Sequence, residues 1–237
     1  MKLLLVLKKD LQILLKDRGQ LAVLFLAPLT FILSTSLIMG QVGQACAYQQ
    51  NVPGYAVTFV FFVAGYVSSA IHEEKAWGTF RRLLSTPVSR AALLGGKLLS
   101  AFIVGILQVG VTFSVGALVF ALDPGRDWIA LVLLTVTLAA TAATMGLAAA
   151  ALRISGKALT PALIILALVG GCIFPLDAMP ALRSISLAVP HSWALSGYQD
   201  LMARGQGLAQ VLPEIGVLVA FALVSLMIAV RRFDFEE

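Results

Sequence analysis

Long apolar blocks, several of them without a single charged side chain, dominate this sequence. Six blocks can be delimited, at residues 21–40, 52–71, 93–122, 128–152, 159–174 and 211–230. A helix needs about 20 apolar residues to cross roughly 30 Å of hydrocarbon. Only 12% of the 237 residues are charged, whereas a soluble domain carries about 25% and needs them for its surface. The sequence therefore predicts an all-α integral membrane protein with six transmembrane helices and no soluble domain of its own.

The basic residues are unevenly distributed among the segments that connect these blocks. Fourteen of the 17 Lys and Arg residues lie in the N-terminal segment, the second-to-third connection, the fourth-to-fifth connection and the C-terminal tail. The alternate connections hold only Arg126, Arg183 and Arg204. Because cytoplasmic loops carry the excess of positive charge, both termini are predicted to be cytoplasmic. The protein itself is predicted to lie in the cell (inner) membrane. The net charge of +5 is then explained by basic residues at the membrane surface, and no nucleic-acid partner is expected.

The N-terminal segment, residues 1–19, does not fit a spanning helix. Its two helical faces hold Leu3, Leu4, Leu7, Leu11, Leu14 and Leu15 on one side and Lys2, Lys8, Lys9, Gln12 and Lys16 on the other. This pattern predicts an amphipathic helix that lies in the cytoplasmic interface. A helical extension of the first span is the alternative, but Gly19 and the charges before it indicate a break.

The stretch at residues 170–197 is also unlike a spanning helix. It contains Pro175, Pro180 and Pro190, and its only charges are Asp177 and Arg183. It is too broken to cross the bilayer and too apolar for an ordinary loop. We predict a re-entrant or surface-lying helical hairpin at residues 175–197 on the outer side, where protein or a water-filled cavity must cover its backbone. A loosely packed outer loop is the alternative.

No pattern of catalytic or ligand-binding residues is recognisable. The spans hold almost no ionisable residues, which argues against a proton relay or an ion-coupled carrier. Residues 95–97 and 156–157 resemble the end of a phosphate-binding loop, but both lack the following Ser or Thr and the earlier glycine. His72 and His191 fall on opposite sides, so a metal-dependent protease is not expected. The sequence therefore predicts no catalytic residue, no metal site and no cofactor bound by this chain.

Two further features have a structural interpretation. Ala142, Gly146 and Ala150 form a small-residue ridge at four-residue spacing, which predicts close helix packing. Cys46 and Cys172 are both expected near the outer face. An oxidising compartment could pair them, and two unpaired buried thiols are an equal alternative.

The most informative cytoplasmic stretch connects the second and third blocks. Thr79 can cap a short helix that begins at Phe80, and Pro87 ends it, because a residue before proline avoids the helical conformation. Ser89 can then cap the third span. The pattern predicts a short helix across the chain path at the membrane surface, within a coupling region at residues 73–90; a solvated basic loop is the alternative. The charged side chains offered to a cytoplasmic partner would be Glu73, Glu74, Arg81 and Arg82.

This stretch resembles the coupling region of the membrane subunit of type-2 ATP-binding cassette (ABC) exporters. The residues that carry the resemblance are Glu73, Gly78, Thr79, Arg82, Leu83, Leu84, Thr86, Pro87, Val88, Ser89, Arg90, Gly96 and Lys97. A second set is similar to the outer re-entrant hairpin of that family and comprises Phe174, Pro175, Met179, Pro180, Pro190 and Trp193. The resemblance extends over essentially the whole chain.

The resemblance implies a permease subunit that dimerises with a second copy, identical or different, in the lipid bilayer. It would dock ABC ATPase subunits, which carry ATP and Mg and pass their closure to the spans. The ATPase-coupling residues would be Glu73, Glu74, Gly78, Thr79, Phe80, Arg81, Arg82, Leu83, Leu84 and Pro87. The connection at residues 41–51 departs from relatives that carry a large outer domain there.

Under this interpretation the chain is no enzyme itself and exports an amphipathic drug, natural product or lipid, using ATP hydrolysed by the separate subunit. Export of a lipid-linked glycan is the alternative substrate class. A membrane enzyme or assembly factor without transport is the alternative of another class, and the missing catalytic constellation disfavours it.

Overall fold

The computed structural model describes residues 2–40, 46–86, 88–174, 176 and 180–235, and within these residues all regular structure is helical. The α-helices in chain order are α1 (Lys2–Lys16), α2 (Arg18–Leu21), α3 (Ala27–Gly40), α4 (Cys46–Ala76), α5 (Thr79–Leu84), α6 (Arg90–Phe120), α7 (Trp128–Ala151), α8 (Gly156–Val169), α9 (Arg183–Ser186), α10 (Pro190–Met202) and α11 (Leu208–Arg232). A π-helical segment, Ala22–Leu26, continues α2 into α3, and a 3-10 turn, Pro180–Leu182, precedes α9.

Five helical stretches are long and apolar enough to cross a membrane. They are Arg18–Thr35, Asn51–Ala76, Arg90–Phe120, Trp128–Ala151 and Leu208–Arg232. The helix in the remaining predicted block, α8, is apolar but has only 14 residues. At about 1.5 Å per residue it reaches roughly 21 Å, which is short of a hydrocarbon core of about 30 Å. The all-helical membrane fold is thus confirmed, and the sixth span stays a prediction.

The helix α4 lies at the centre of the bundle. In its apolar stretch 83% of the residues are buried, against 22% in α11 and 17% in the stretch that contains α2 and α3. The helices α3, α6, α7, α8 and α10 pack around α4. The outer helices keep many large apolar side chains exposed, including Leu118, Ile129 and Val230, as a lipid-facing surface requires.

Small residues and hydroxyl groups connect the inner helices. A Cβ added at Gly146, the middle of the small-residue ridge, would lie 2.7 Å from the Cα of Ala64 on α4. The close packing predicted for the ridge is therefore confirmed at this position. The Thr141 hydroxyl donates to the carbonyl of Leu218 on α11 at 3.0 Å. Such contacts hold helices together where apolar burial alone does not distinguish a partner helix from lipid.

Helix α1 ends at Lys16, three residues before the break predicted at Gly19. Asp17 interrupts the helix, and its carboxylate accepts a hydrogen bond from the Gln20 backbone NH at 3.0 Å. Aspartate is among the preferred capping residues because it satisfies an otherwise unpaired NH of the next helix. The chain therefore turns at Asp17 and enters the first long apolar helix.

The segment between α8 and α10 contacts α4 at two different heights. After α8, the Cys172 carbonyl lies 2.2 Å from where a Cβ on Gly54 would be. The ring of His191, at the start of α10, stacks on Phe61 with 3.9 Å between centroids. Gly54 and Phe61 are seven residues apart in α4, which is about 10 Å along a helix. The segment thus leaves α4 after Cys172 and meets it again, about two turns further along, at the start of α10.

The predicted hairpin residues lie in different environments along this segment. Phe174 is exposed, Pro190 is the first residue of α10, and the Trp193 indole donates to the Leu187 carbonyl at 2.9 Å. Pro175, Met179 and the side chain of Pro180 lie outside the described part of the chain. The position of this hairpin in a bilayer stays a prediction.

Candidate functional site

A sharp turn and a six-residue helix connect α4 to α6. Gly78 has φ +68°, a left-handed conformation in which a side chain would be strained. Gly78 occupies the cap position, so Thr79 is the first helical residue and not the cap that the sequence predicted. At the start of α6 the Ser89 hydroxyl accepts from the Ala92 NH at 3.2 Å, which confirms the predicted cap.

The short helix α5 has an apolar face towards the bundle and a basic face away from it. Phe80 is completely buried, and Leu83 packs against the same core. Arg81 and Arg82 are exposed, and so is Glu73 at the end of α4. The side chain of Leu84 and all of Pro87 lie outside the described residues. A partner at this end of the bundle would meet the basic face of α5 first.

Three aromatic rings hold α5 against the segment that follows α11. This aromatic cluster consists of Phe80, Phe233 and Phe235, with centroid distances of 5.9 Å, 6.3 Å and 4.8 Å. The Lys75 ammonium lies 5.1 Å from the Phe233 ring and donates to the Asp234 carbonyl at 2.7 Å. A cation over an aromatic face is attracted by the ring quadrupole. The tail thus contacts both α5 and the end of α4.

Sequence reasoning missed this cluster. Phe233 and Phe235 flank Asp234 directly after the basic end of α11. Two aromatic residues in an otherwise charged tail were a usable signal that this tail packs against protein.

Four charged side chains from three helices meet beside α5. This charge cluster comprises Lys9 and Asp10 on α1, Glu74 on α4 and Lys97 on α6. The Lys97 Nζ lies 2.7 Å from Glu74 Oε2 and 3.6 Å from Asp10 Oδ2. The Lys9 ammonium donates to Glu74 Oε1. Only 4% of the Lys97 side chain and 9% of the Glu74 side chain are exposed, so this central pair is buried. Two ammonium groups and two carboxylates give the cluster a formal charge of zero.

The position of Glu74 corrects one expectation. The sequence predicted that Glu73 and Glu74 would both face a cytoplasmic partner, but Glu74 points into the bundle and Glu73 is exposed. Neighbouring residues on a helix point about 100° apart because a turn holds 3.6 residues. Lys97 could have suggested this, since its helical neighbours Leu93 and Ala101 are apolar and offer it no counter-ion.

Asp10, on α1, is the carboxyl of the cluster that lies outside the spanning helices. Burial is the largest influence and raises the pKa of Asp10 above its ordinary value. Lys97 and Lys9 lower this pKa, while the neighbouring carboxylate of Glu74 raises it further. The carboxyl of Asp10 therefore takes up a proton more readily than an exposed aspartate.

Glycine at the start of α6 lets α1 approach closely. A Cβ at Gly96 would lie 2.6 Å from the Cβ of Val6 and 3.2 Å from the Leu3 carbonyl. Val6, Asp10 and Leu14 form the buried face of α1, and Leu4 and Leu15 on the predicted apolar face stay exposed. Residues 95–97 thus form the surface on which α1 packs.

The other titratable candidates do not form a ligand site. Among the described residues no group of three or more His, Cys, Asp and Glu side chains could hold a metal ion. The His72 ring nitrogen Nδ1 lies 2.8 Å from the carbonyl of Ser68, one turn earlier. The Cys172 thiol is buried, while the side chain of Cys46 is outside the described residues and the pairing of the two stays untested.

The sequence of this chain is similar to those of one family of membrane transporters. Residues 1–203 match the family described as ABC-2 type transporter. The chain is similar to the linearmycin resistance permease protein LnrN of Bacillus subtilis (strain 168), with 28% identity over 176 residues, 73% of this chain and 46% of that protein. It is also similar to the probable multidrug ABC transporter permease YbhS of Escherichia coli (strain K12), with 25% identity over 181 residues, 73% of this chain and 48% of that protein.

The chain spans about half the length of the curated relatives it matches. The family match nevertheless includes α1, the charge cluster, α5 and every helix through α10. Together with five apolar helices long enough to cross a membrane, this match shows that the chain belongs to the ABC-2 type transporter family and is a multi-pass membrane protein.

Proposed function

We propose that this chain is the permease subunit of an ABC exporter and moves an amphipathic substrate outward. A separate ABC ATPase subunit would bind ATP and Mg and dock on α5. The observation that carries this proposal is α5 itself, a short helix with a buried apolar face and an exposed basic face beside Glu73. Such a helix is attached to the bundle by its apolar face and exposes charged side chains on the opposite face.

The attachments of α5 suit the transmission of movement. Gly78 joins it to α4 by a tight turn, and Ser89 caps α6 five residues after its end. The completely buried ring of Phe80 leaves α5 no room to shift independently of the bundle. Since close-packed interiors transmit displacement, a push on α5 would move the ends of α4 and α6. The central position of α4 would carry that movement into the bundle.

We further propose that both termini are cytoplasmic and that the protein is in the inner membrane, paired with a second permease copy. The basic asymmetry of the connections supports this orientation. In agreement with it, α1, α5 and the tail lie together at one end of the bundle.

The names of two relatives favour a drug or natural product as the substrate. One relative is named for linearmycin resistance and the other as a probable multidrug permease. A lipid belongs to the same amphipathic class, and a lipid-linked glycan is the alternative. A membrane enzyme or assembly factor without transport is the alternative of another class.

The proposal is tested by purifying the tagged chain from its native membranes. We expect an ATP-binding subunit to co-purify in equal amount and to show vanadate-sensitive ATPase activity, which the isolated chain lacks. Glu73→Lys and Arg82→Glu should weaken this association, because both side chains are exposed beside α5. Arg126→Glu at the opposite end of the bundle is the matched control.

Two outcomes would contradict the proposal. Robust ATP hydrolysis by the isolated chain would show that a separate ATPase subunit is not required. If Glu73→Lys and Arg82→Glu bind the ATPase and export linearmycin or ethidium like the parent, α5 is not the docking helix.

A further inference from the structure

The buried ions at the start of α6 connect three helices of the bundle, α1, α4 and α6. Lys97 belongs to α6, Glu74 to the last turns of α4, and Lys9 and Asp10 to α1. Each cation contacts carboxylates of two residues, since Lys97 reaches Glu74 and Asp10 while Lys9 reaches Glu74 and Asp10. A shift of one of these helices relative to the others would therefore change the length of at least one ion pair.

Stability alone does not account for the cluster. Removing ions from water is costly, and apolar side chains of similar volume in their place often leave a protein as stable or more stable. The first turns of α6 offer such an alternative, because Leu93 and Ala101 surround Lys97 with apolar side chains. The four charges therefore call for a role that apolar packing does not supply.

Building on the proposed function, we propose that Lys97 and Glu74 are positioning residues for coupled export. They form a joint that makes the interface helix α1 move together with α4, α5 and α6. Contact at Gly96 brings α1 against α6, and the charge cluster then sets the direction in which α1 can move. Displacement of α5 by the ATPase would thereby shift α1 along the membrane surface.

The ionic character of the joint distinguishes it from ordinary packing. Opposite charges attract over several ångströms, whereas dispersion contacts are lost within a small gap. An ion pair can thus stay engaged during a small displacement that would open an apolar contact. Burial strengthens this attraction because little water screens it.

The test uses the complex with its ATPase in proteoliposomes and measures export of ethidium or linearmycin per ATP hydrolysed. The variant Glu74→Gln/Lys97→Met removes the central pair but keeps the net charge at zero, since Lys9 and Asp10 remain 3.7 Å apart. We expect thermal stability near that of the parent and continued ATP hydrolysis. Export per ATP should fall at least about fivefold, the lower end of typical coupling effects.

A second variant keeps the test informative if the double variant does not fold. Lys9→Met removes the partly exposed cation that links α1 to Glu74 and leaves the Lys97–Glu74 pair intact. It should lower export per ATP, while Lys16→Met, an exposed cation on the same helix, should not. The conservative Lys97→Arg should retain coupling.

The outcomes separate this inference from the proposed function. A purely structural role predicts that ATPase activity and export fall in parallel. If export per ATP in both Glu74→Gln/Lys97→Met and Lys9→Met equals that of the parent, the charge cluster does not couple α1 to the other helices. That result would leave the proposed exporter function intact. A parent chain that binds no ATPase and exports neither compound would overturn both.

Discussion

The ring of Phe80 on α5 lies 5.9 Å from the ring of Phe233, which directly follows α11. Through this contact the short helix between α4 and α6 packs against a segment that is distant from it in the sequence. A partner that docks on α5 therefore meets a surface shaped by both segments.

Loss of the Phe80 ring should loosen α5. Phe80→Ala removes a completely buried aromatic side chain, which typically costs about 3–5 kcal/mol of unfolding free energy. We expect a clear decrease in the melting temperature in detergent and weaker association with the ATPase. Trp77→Ala is the control, because that indole is 72% exposed. Equal melting temperatures for the two variants would show that the aromatic cluster does not hold α5.

A single methyl group should separate α1 from α6. In Gly96→Ala the new Cβ would lie 2.6 Å from the Cβ of Val6, so α1 must move. Gly110→Ala adds the same methyl group to the same helix where nothing lies within 4 Å, and helix propensity favours alanine by about 1 kcal/mol. We expect opposite effects on melting temperature, and faster hydrogen exchange in α1 for Gly96→Ala only. Faster hydrogen exchange in α1 for both variants would show that α1 does not depend on close packing against Gly96.

Acid should weaken the connection between α7 and α11 at the opposite end of the bundle. The Asp127 carboxylate accepts hydrogen bonds from the NH groups of Ala130 at 3.0 Å and Leu208 at 2.8 Å. These bonds hold the pKa of Asp127 below its ordinary value of 3.8. A lowered pKa means that the stabilisation is present above the ordinary value and is lost as the pH falls through the folded-state pKa.

The melting temperature of the parent should accordingly fall more steeply below about pH 4 than that of Asp127→Asn, which has no carboxylate to protonate. Asp123→Asn, in the same connection, is the control and should follow the parent. Identical acid profiles for the parent and Asp127→Asn would show that the two hydrogen bonds do not contribute to stability.

The proposed orientation can be checked at two exposed positions. Ser184, in α9, and Arg82, in α5, are both exposed and should face opposite sides of the membrane. In a background without Cys46 and Cys172, Ser184→Cys should react with an impermeant maleimide from outside, and Arg82→Cys only after the membrane is opened. The reverse pattern would invert the topology.

Several elements were predictable because their cause is local in the chain. The apolar blocks, the serine cap of α6 and the small-residue ridge of α7 all follow from residue types at fixed helical spacing. The same reasoning assigned the cap of α5 to Thr79 and not Gly78, because a left-handed backbone at the end of α4 is invisible in a residue pattern. It also extended the block at residues 159–174 beyond α8, which ends at Val169, since apolar composition continues where the helix does not.

The candidate site was only partly predictable for a different reason. The sequence identified the segment of α5 and both members of the central pair, Glu74 and Lys97, but assigned them to separate roles. The side chains of Lys9, Glu74 and Lys97 come from three helices, and no spacing rule relates residues so far apart in the chain.

By itself, then, the sequence determined that this chain is a helical membrane protein with a short helix between two long ones, because hydrocarbon requires continuous apolar helices whose backbone groups are satisfied internally. Tertiary structure decided which charged side chains are exposed and which pair with each other. The direction of a side chain such as Glu74 depends on the rotation of α4 against its neighbours, and the packing of Phe80 on Phe233 depends on where α11 ends in space. Both are set by the lowest free energy of the whole bundle, in which buried charges find counter-ions and aromatic rings leave water.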